Sequence, residues 1–108
     1  MYRHQLRFVL RFGVREQFTE FIHKLSAAET ARGWAPPRVW HAMNGPVNEI
    51  VIEHDYESVA AFQRERTAFH DDPGEVGEVL AVISDLAVPG TATQSDLDEH
   101  EWIAAGAE

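Results

Sequence analysis

Residues 2–12 read Tyr-Arg-His-Gln-Leu-Arg-Phe-Val-Leu-Arg-Phe, and residues 14–28 read Val-Arg-Glu-Gln-Phe-Thr-Glu-Phe-Ile-His-Lys-Leu-Ser-Ala-Ala. In the first stretch His4, Leu6, Phe8 and Leu10 share one side, while Arg3, Gln5, Arg7, Val9 and Arg11 share the other, the period of two that a pleated strand imposes. Gly13 interrupts this pattern. In the second stretch Val14, Phe18, Phe21, Ile22, Leu25 and Ala28 recur on one face of a helix, which Gly33 is placed to cap. A strand whose apolar side meets the apolar stripe of the helix that follows it is the start of an α+β domain.

Working outward, Trp34-Ala35-Pro36-Pro37 is a stiff connector, because two prolines cannot continue a helix. Arg38–Met43 and Asn48–Tyr56 are strand-like, and Asn44-Gly45-Pro46-Val47 has the chemistry of a turn between them. That loop sets Met43 against Asn48, His41 against Ile50, Val39 against Ile52 and Arg38 against Glu53, with apolar pairs on one face and opposite charges on the other. Ser58 is an N-cap for a helix over Val59–Phe69, whose inner side carries Val59, Phe62, the stem of Arg66 and Phe69.

A break is expected at His70-Asp71-Asp72. Asp72-Pro73-Gly74-Glu75 then restarts a helix with Val76, Val79, Leu80 and Ile83 on its stripe. Leu86-Ala87-Val88 is the expected last strand, shortened by Pro89-Gly90. The order is βαββαβ, a ferredoxin-like antiparallel sheet with helices on one face, over residues 1–90. Residues 91–108 hold five acidic residues, no Lys or Arg, and Trp102-Ile103 as an apolar pair. They are expected to form an acidic tail, mobile or docked on a partner subunit.

The chain has 108 residues, 44% of them hydrophobic, enough for one core. It lacks cysteine, which excludes disulfides, thiolate nucleophiles, zinc–thiolate and iron–sulfur sites and suits a cytoplasmic protein. Neither a signal-peptide h-region nor a membrane span is expected. The formal charge of −9 is uneven: residues 1–40 carry seven basic and three acidic side chains, and residues 41–108 carry two and fifteen. Such a chain is repelled by phosphate, so nucleic acid is not an expected partner.

No nucleophile elbow, phosphate-binding glycine loop, dinucleotide fingerprint or His-Glu-x-x-His is present. Chemistry is left to the histidines. His4 is in phase with Leu6 and Phe8, His54 with Ile50, Ile52 and Tyr56, and the hairpin register puts His41 on the same face. Three imidazoles and a phenol therefore point between sheet and helices, with Phe8, Phe18, Phe21, Ile22 and Phe62 around them. An apolar pocket with a few convergent polar groups suits a small hydrophobic molecule, and histidine exchanges protons near neutrality. His4 and His54 are the candidate catalytic residues, and His41, Tyr56, Phe8, Phe21 and Phe62 are candidate substrate contacts. The imidazole spacing is not diagnostic of a metal, and none is expected. The bland alternative is that these histidines are hydrogen-bonded filler.

The run Gly45-Pro46-Val47-Asn48-Glu49-Ile50-Val51-Ile52-Glu53, followed by Tyr56-Glu57-Ser58-Val59-Ala60-Ala61-Phe62, resembles the dimeric α/β-barrel superfamily and especially its NIPSNAP-like branch. The resemblance implies that two such sheets pack face to face in a homodimer, with Arg3, Gln5, Arg7, Arg11, Arg38, Glu49 and Glu53 on the mating face and Arg7 paired to Glu53. It also implies isomerisation, cyclisation or oxygenation without a bound cofactor. The position of His4 is similar to that of a strand-one histidine in plant polyketide cyclases of this fold. Two functions follow: a cofactor-independent enzyme using His-mediated acid–base chemistry, or a non-catalytic ligand-binding or interaction module.

Overall fold

Alternation along the first strand is realised as a half-buried ribbon, with Phe8 and Leu10 sealed beneath helices and Arg7 and Arg11 turned to the other side. The structure is a computed structural model and describes residues 1–71 and 79–99. Its elements are β1 (Tyr2–Val9), α1 (Arg15–Ala31), β2 (Arg38–His41), β3 (Glu49–Tyr56), α2 (Val59–Asp71), α3 (Val79–Leu86) and β4 (Thr93–Asp98). The strands form one antiparallel sheet in the order β2-β3-β1-β4, the ferredoxin-like arrangement expected from the sequence. Among the described residues no helix is long and apolar enough to cross a membrane.

The core lies where the strand and helix periods meet. Phe8, Leu10, Ile50 and Ile52 from the sheet pack with Phe18 and Leu25 from α1 and with Ile83 and Leu86 from α3. α1 ends as its glycine requires. Gly33 has φ +71°, its N–H reaches the Thr30 carbonyl at 3.0 Å, and the Trp34 N–H reaches the Glu29 carbonyl at 2.9 Å, the paired bonds of a Schellman cap. Ser58 caps α2, its hydroxyl accepting the Ala61 N–H at 3.2 Å.

The hairpin register is the expected one: Arg38 opposes Glu53, Val39 opposes Ile52 and His41 opposes Ile50. β2 stops at His41, so Met43 and Asn48 do not pair as strand residues. Asn48 instead takes φ +63°, a left-handed conformation that asparagine tolerates.

Three expectations are corrected. The last strand is not Leu86–Val88: Ala87 makes a single bridge to Leu10, Gly90 turns the chain at φ +80°, and Thr93–Asp98 then runs along β1. Part of the segment expected as a tail is therefore an edge strand of the domain; Trp102 and Ile103 lie outside the described residues. α2 continues through Asp71, past the break expected at His70. The restart at 72–75 also falls outside the described residues. Finally, Arg7 opposes Val51, not Glu53, and bonds Glu49 at 2.7 Å, whereas Glu53 stands opposite Gln5.

Glu53 is only 3% exposed, held by Gln5 at 2.7 Å, Arg38 at 2.7 Å and Arg3 at 3.6 Å. Asp55 takes Arg3 in a two-pronged pair at 2.7 and 3.1 Å and also meets Arg38. The Arg3 hydrogen bonds, helped by Arg38, hold the Asp55 carboxyl below its ordinary value despite opposing desolvation. On this same face Trp40 is 54% exposed and Leu97 51%.

Candidate functional site

The register of β1 on β3 puts His4 directly opposite His54 on the helix side of the sheet. Such cross-strand neighbours stand about 5 Å apart at their Cβ atoms. His54 Nε2 lies 2.8 Å from Glu29 Oε2 and 3.1 Å from Glu29 Oε1. Glu29 is a buried carboxylate on α1, one turn beyond Leu25 on the stripe that runs 18, 22, 25, 29. His4 Nε2 is 3.2 Å from Gln94 Oε1 and 3.9 Å from Asp96 Oδ1, both on β4. Each imidazole thus has a polar side chain of its own, delivered by a different element.

The rings form one aromatic cluster. Phe62 stacks on Tyr2 at 4.7 Å and on His4 at 5.7 Å between centroids, and meets Tyr56 edge-on at 5.3 Å. His54 stacks on Tyr56 at 6.2 Å. Beside the cluster is a cavity of about 150 Å³. Its floor is Leu6, Ile52, Leu25 and Ile83, its polar wall His4, His54, Glu29 and Gln94, and its α2 side Phe62, Glu65, Arg66, Phe69 and His70, with Trp34 and Tyr56 completing it. The Schellman cap explains Trp34, because the turn that ends α1 ties its backbone N–H to the Glu29 carbonyl and so brings the residue to the cavity that Glu29 lines.

Burial raises Tyr56 well above the ordinary phenol value, and the charges of Glu65 and Glu29 push it the same way, against Arg66. Tyr56 therefore stays a neutral phenol, able to donate a hydrogen bond to a ligand oxygen.

Of the residues singled out from sequence, His4, His54, Tyr56 and Phe62 come together around the cavity. His41 does not. It is exposed on β2 opposite Ile50, and the four steps along β3 from Ile50 to His54 set it about 13 Å from His54 at the usual rise. Phe8 is fully buried in the core and Phe21 packs against the core's edge, and neither lines the cavity. Among the described residues no three His, Asp or Glu side chains are grouped to hold a metal ion. Sequence reasoning missed Glu29, Trp34, Glu65 and Gln94. The signal for Glu29 was a carboxylate on the apolar stripe of α1.

No protein-family model matches the chain, and no curated protein matches it. Solved structures share its fold. A NIPSNAP domain protein from Burkholderia xenovorans superimposes with a TM-score of 0.71 at 15% identity, covering 93% of this chain and 95% of that one. A NIPSNAP family protein of unknown function from Agrobacterium tumefaciens gives 0.67 at 18% identity, covering 92% and 87%. An antibiotic biosynthesis monooxygenase gives 0.68 at 10% identity, covering 93% and 99%. The chain thus has the ferredoxin-like fold seen in NIPSNAP and antibiotic biosynthesis monooxygenase proteins.

Proposed function

We propose that this chain is a cofactor-independent enzyme that moves a proton on a small hydrophobic molecule, with His54 as the acid–base group and His4 as its cross-strand companion. The observation that carries this is the Glu29–His54 pair at 2.8 Å on the polar wall of a cavity floored by Leu6, Leu25, Ile52 and Ile83. A buried carboxylate on one ring nitrogen fixes which nitrogen carries the hydrogen and steadies the imidazolium that forms when the ring takes a proton. The neutral Tyr56 phenol is available to a carbonyl or enol oxygen, which acidifies the neighbouring carbon. In this reading the ionic face with Trp40 and Leu97 receives a second copy of the chain, and the protein works in the cytoplasm.

The test is solvent exchange. A panel of single-ring ketones is incubated with the protein in deuterated buffer, and loss of the C–H signal next to the carbonyl is followed by NMR. Accelerated exchange that falls roughly 10²–10⁴-fold in His54→Gln is the expected result. Absence of acceleration for every ketone, or equal acceleration by His54→Gln, overturns the acid–base role.

One observation favours a second reading, a non-catalytic binding module: among the described residues no buried side-chain nitrogen or oxygen lacks a partner. The histidines are then satisfied structural groups. Ligand binding with no exchange in native protein, together with a lower melting temperature in His4→Ala and His54→Ala, distinguishes it.

A further inference from the structure

We infer that the cavity selects a single-ring carboxylate, with the carboxylate seated on Arg66 and the ring against Phe62. This deepens the proposed function and rests on its cavity. Among the described residues Arg66 is the one permanently cationic side chain in the lining. Its guanidinium carbon stands 5.5 Å from the centre of the Phe62 ring, a cation–π placement that holds the charge at the edge of the apolar space.

Three arginines of the opposite face have carboxylates, Arg3 with Asp55, Arg7 with Glu49 and Arg38 with Glu53, and Arg11 gives its Nε–H to the Ala87 carbonyl. Arg66 has no such partner among the described residues. The two carboxylates that share its cavity are already engaged, Glu29 by His54 and Glu65 by the Ala35 N–H at 3.0 Å. An anion arriving at Arg66 therefore meets a planar fork suited to a carboxylate, with no carboxylate of the described residues to displace. The size argument is independent. A space of about 150 Å³ is that of an apolar cavity that takes up benzene, so one ring fits inside it.

The experiment uses the full chain and two probes of equal ring size, benzoate and benzyl alcohol, followed by NMR titration of the Tyr56 and His54 ring resonances. Native protein is expected to bind benzoate about tenfold more tightly than benzyl alcohol, the usual strength of a charge-assisted hydrogen bond at a partly open site. Arg66→Gln should erase that preference by weakening benzoate about tenfold more than benzyl alcohol, and Arg66→Lys should keep part of it. Equal affinities in native protein, or a preference that survives Arg66→Gln, overturn the carboxylate seat while the cavity itself stands. If neither probe perturbs the rings, both the seat and the cavity reading fail.

Discussion

Replacing Glu29 by Gln keeps the shape of the side chain and removes its charge, so it isolates what the carboxylate does for His54. In the native chain Nε2 lies 2.8 Å from Glu29 Oε2, with the imidazole 14% and the carboxylate 8% exposed. A carboxylate only accepts, so Nε2 must carry hydrogen, and in the neutral ring the lone pair sits on Nδ1. A carboxamide both donates and accepts, so either tautomer satisfies it.

A hydrogen bond to a charged group contributes about 1.5–3 kcal/mol and a neutral one about 0.5–1.5 kcal/mol, so Glu29→Gln should destabilise by about 1 kcal/mol. For a domain near this size that is a fall of roughly 4 °C in melting temperature. Glu29→Leu leaves the imidazole donor without an acceptor and should lose about 1–3 kcal/mol. Calorimetry reads the stability, and long-range ¹⁵N correlation spectra of His54 read the tautomer. Glu29→Gln should show a mixture where the native protein shows one form. A variant that melts within about 1 °C of native and keeps a single Nε2–H form would refute the role assigned to Glu29.

Three further outcomes follow. Asp55 titrates below its unfolded value because of Arg3, so its stabilisation is full above about pH 4 and disappears as pH falls through the folded value. The native melting temperature should therefore drop more steeply between pH 5 and pH 3 than that of Arg3→Gln, and equal slopes would contradict the assignment. Ending the chain after Gly90 removes β4 and with it both polar neighbours of His4; a fall in melting temperature on the order of 10 °C is expected, and an unchanged value would show that β4 is not integral to the domain. Sedimentation at micromolar concentration should give twice the 12.2 kDa chain mass, reduced to one chain by Trp40→Glu; a native monomer would remove the second copy from the ionic face.

What was legible in the sequence was what periodicity encodes. β1, α1 and the β2–β3 pairing follow from alternation, from the helical stripe and from a four-residue turn, and the register of Arg38, Val39 and His41 came out residue by residue. β4 was not legible, because Thr93-Gln94-Ser95-Asp96-Leu97-Asp98 is exposed along its length and has almost no apolar side to alternate. Its place is fixed by backbone pairing to β1, a tertiary influence that local composition does not carry. The site was half legible for a related reason. His4, His54 and Tyr56 lie on strands whose phase is visible, whereas Gln94 arrives from the unreadable strand and Glu29 is a charged residue next to the last apolar one of its stripe, which a period of apolar residues does not pick out. His41 had the right face, but it sits on an edge strand and is exposed there.

The two faces of the sheet are not independent. A slip of one residue between β1 and β3 would carry every side chain to the wrong side. Apolar residues on the helix face resist it, and so do the polar partners on the other: the ion pairs of Arg3 with Asp55 and of Arg7 with Glu49, and the hydrogen bond from Gln5 to Glu53. Ion pairs of this kind contribute little net stability once desolvation is counted, but each is satisfied only in one register. That register is also the one that sets His4 against His54. The arginine and carboxylate face thereby positions the imidazoles through the thickness of the strands, and this accounts for so many charges on a surface that never touches the cavity.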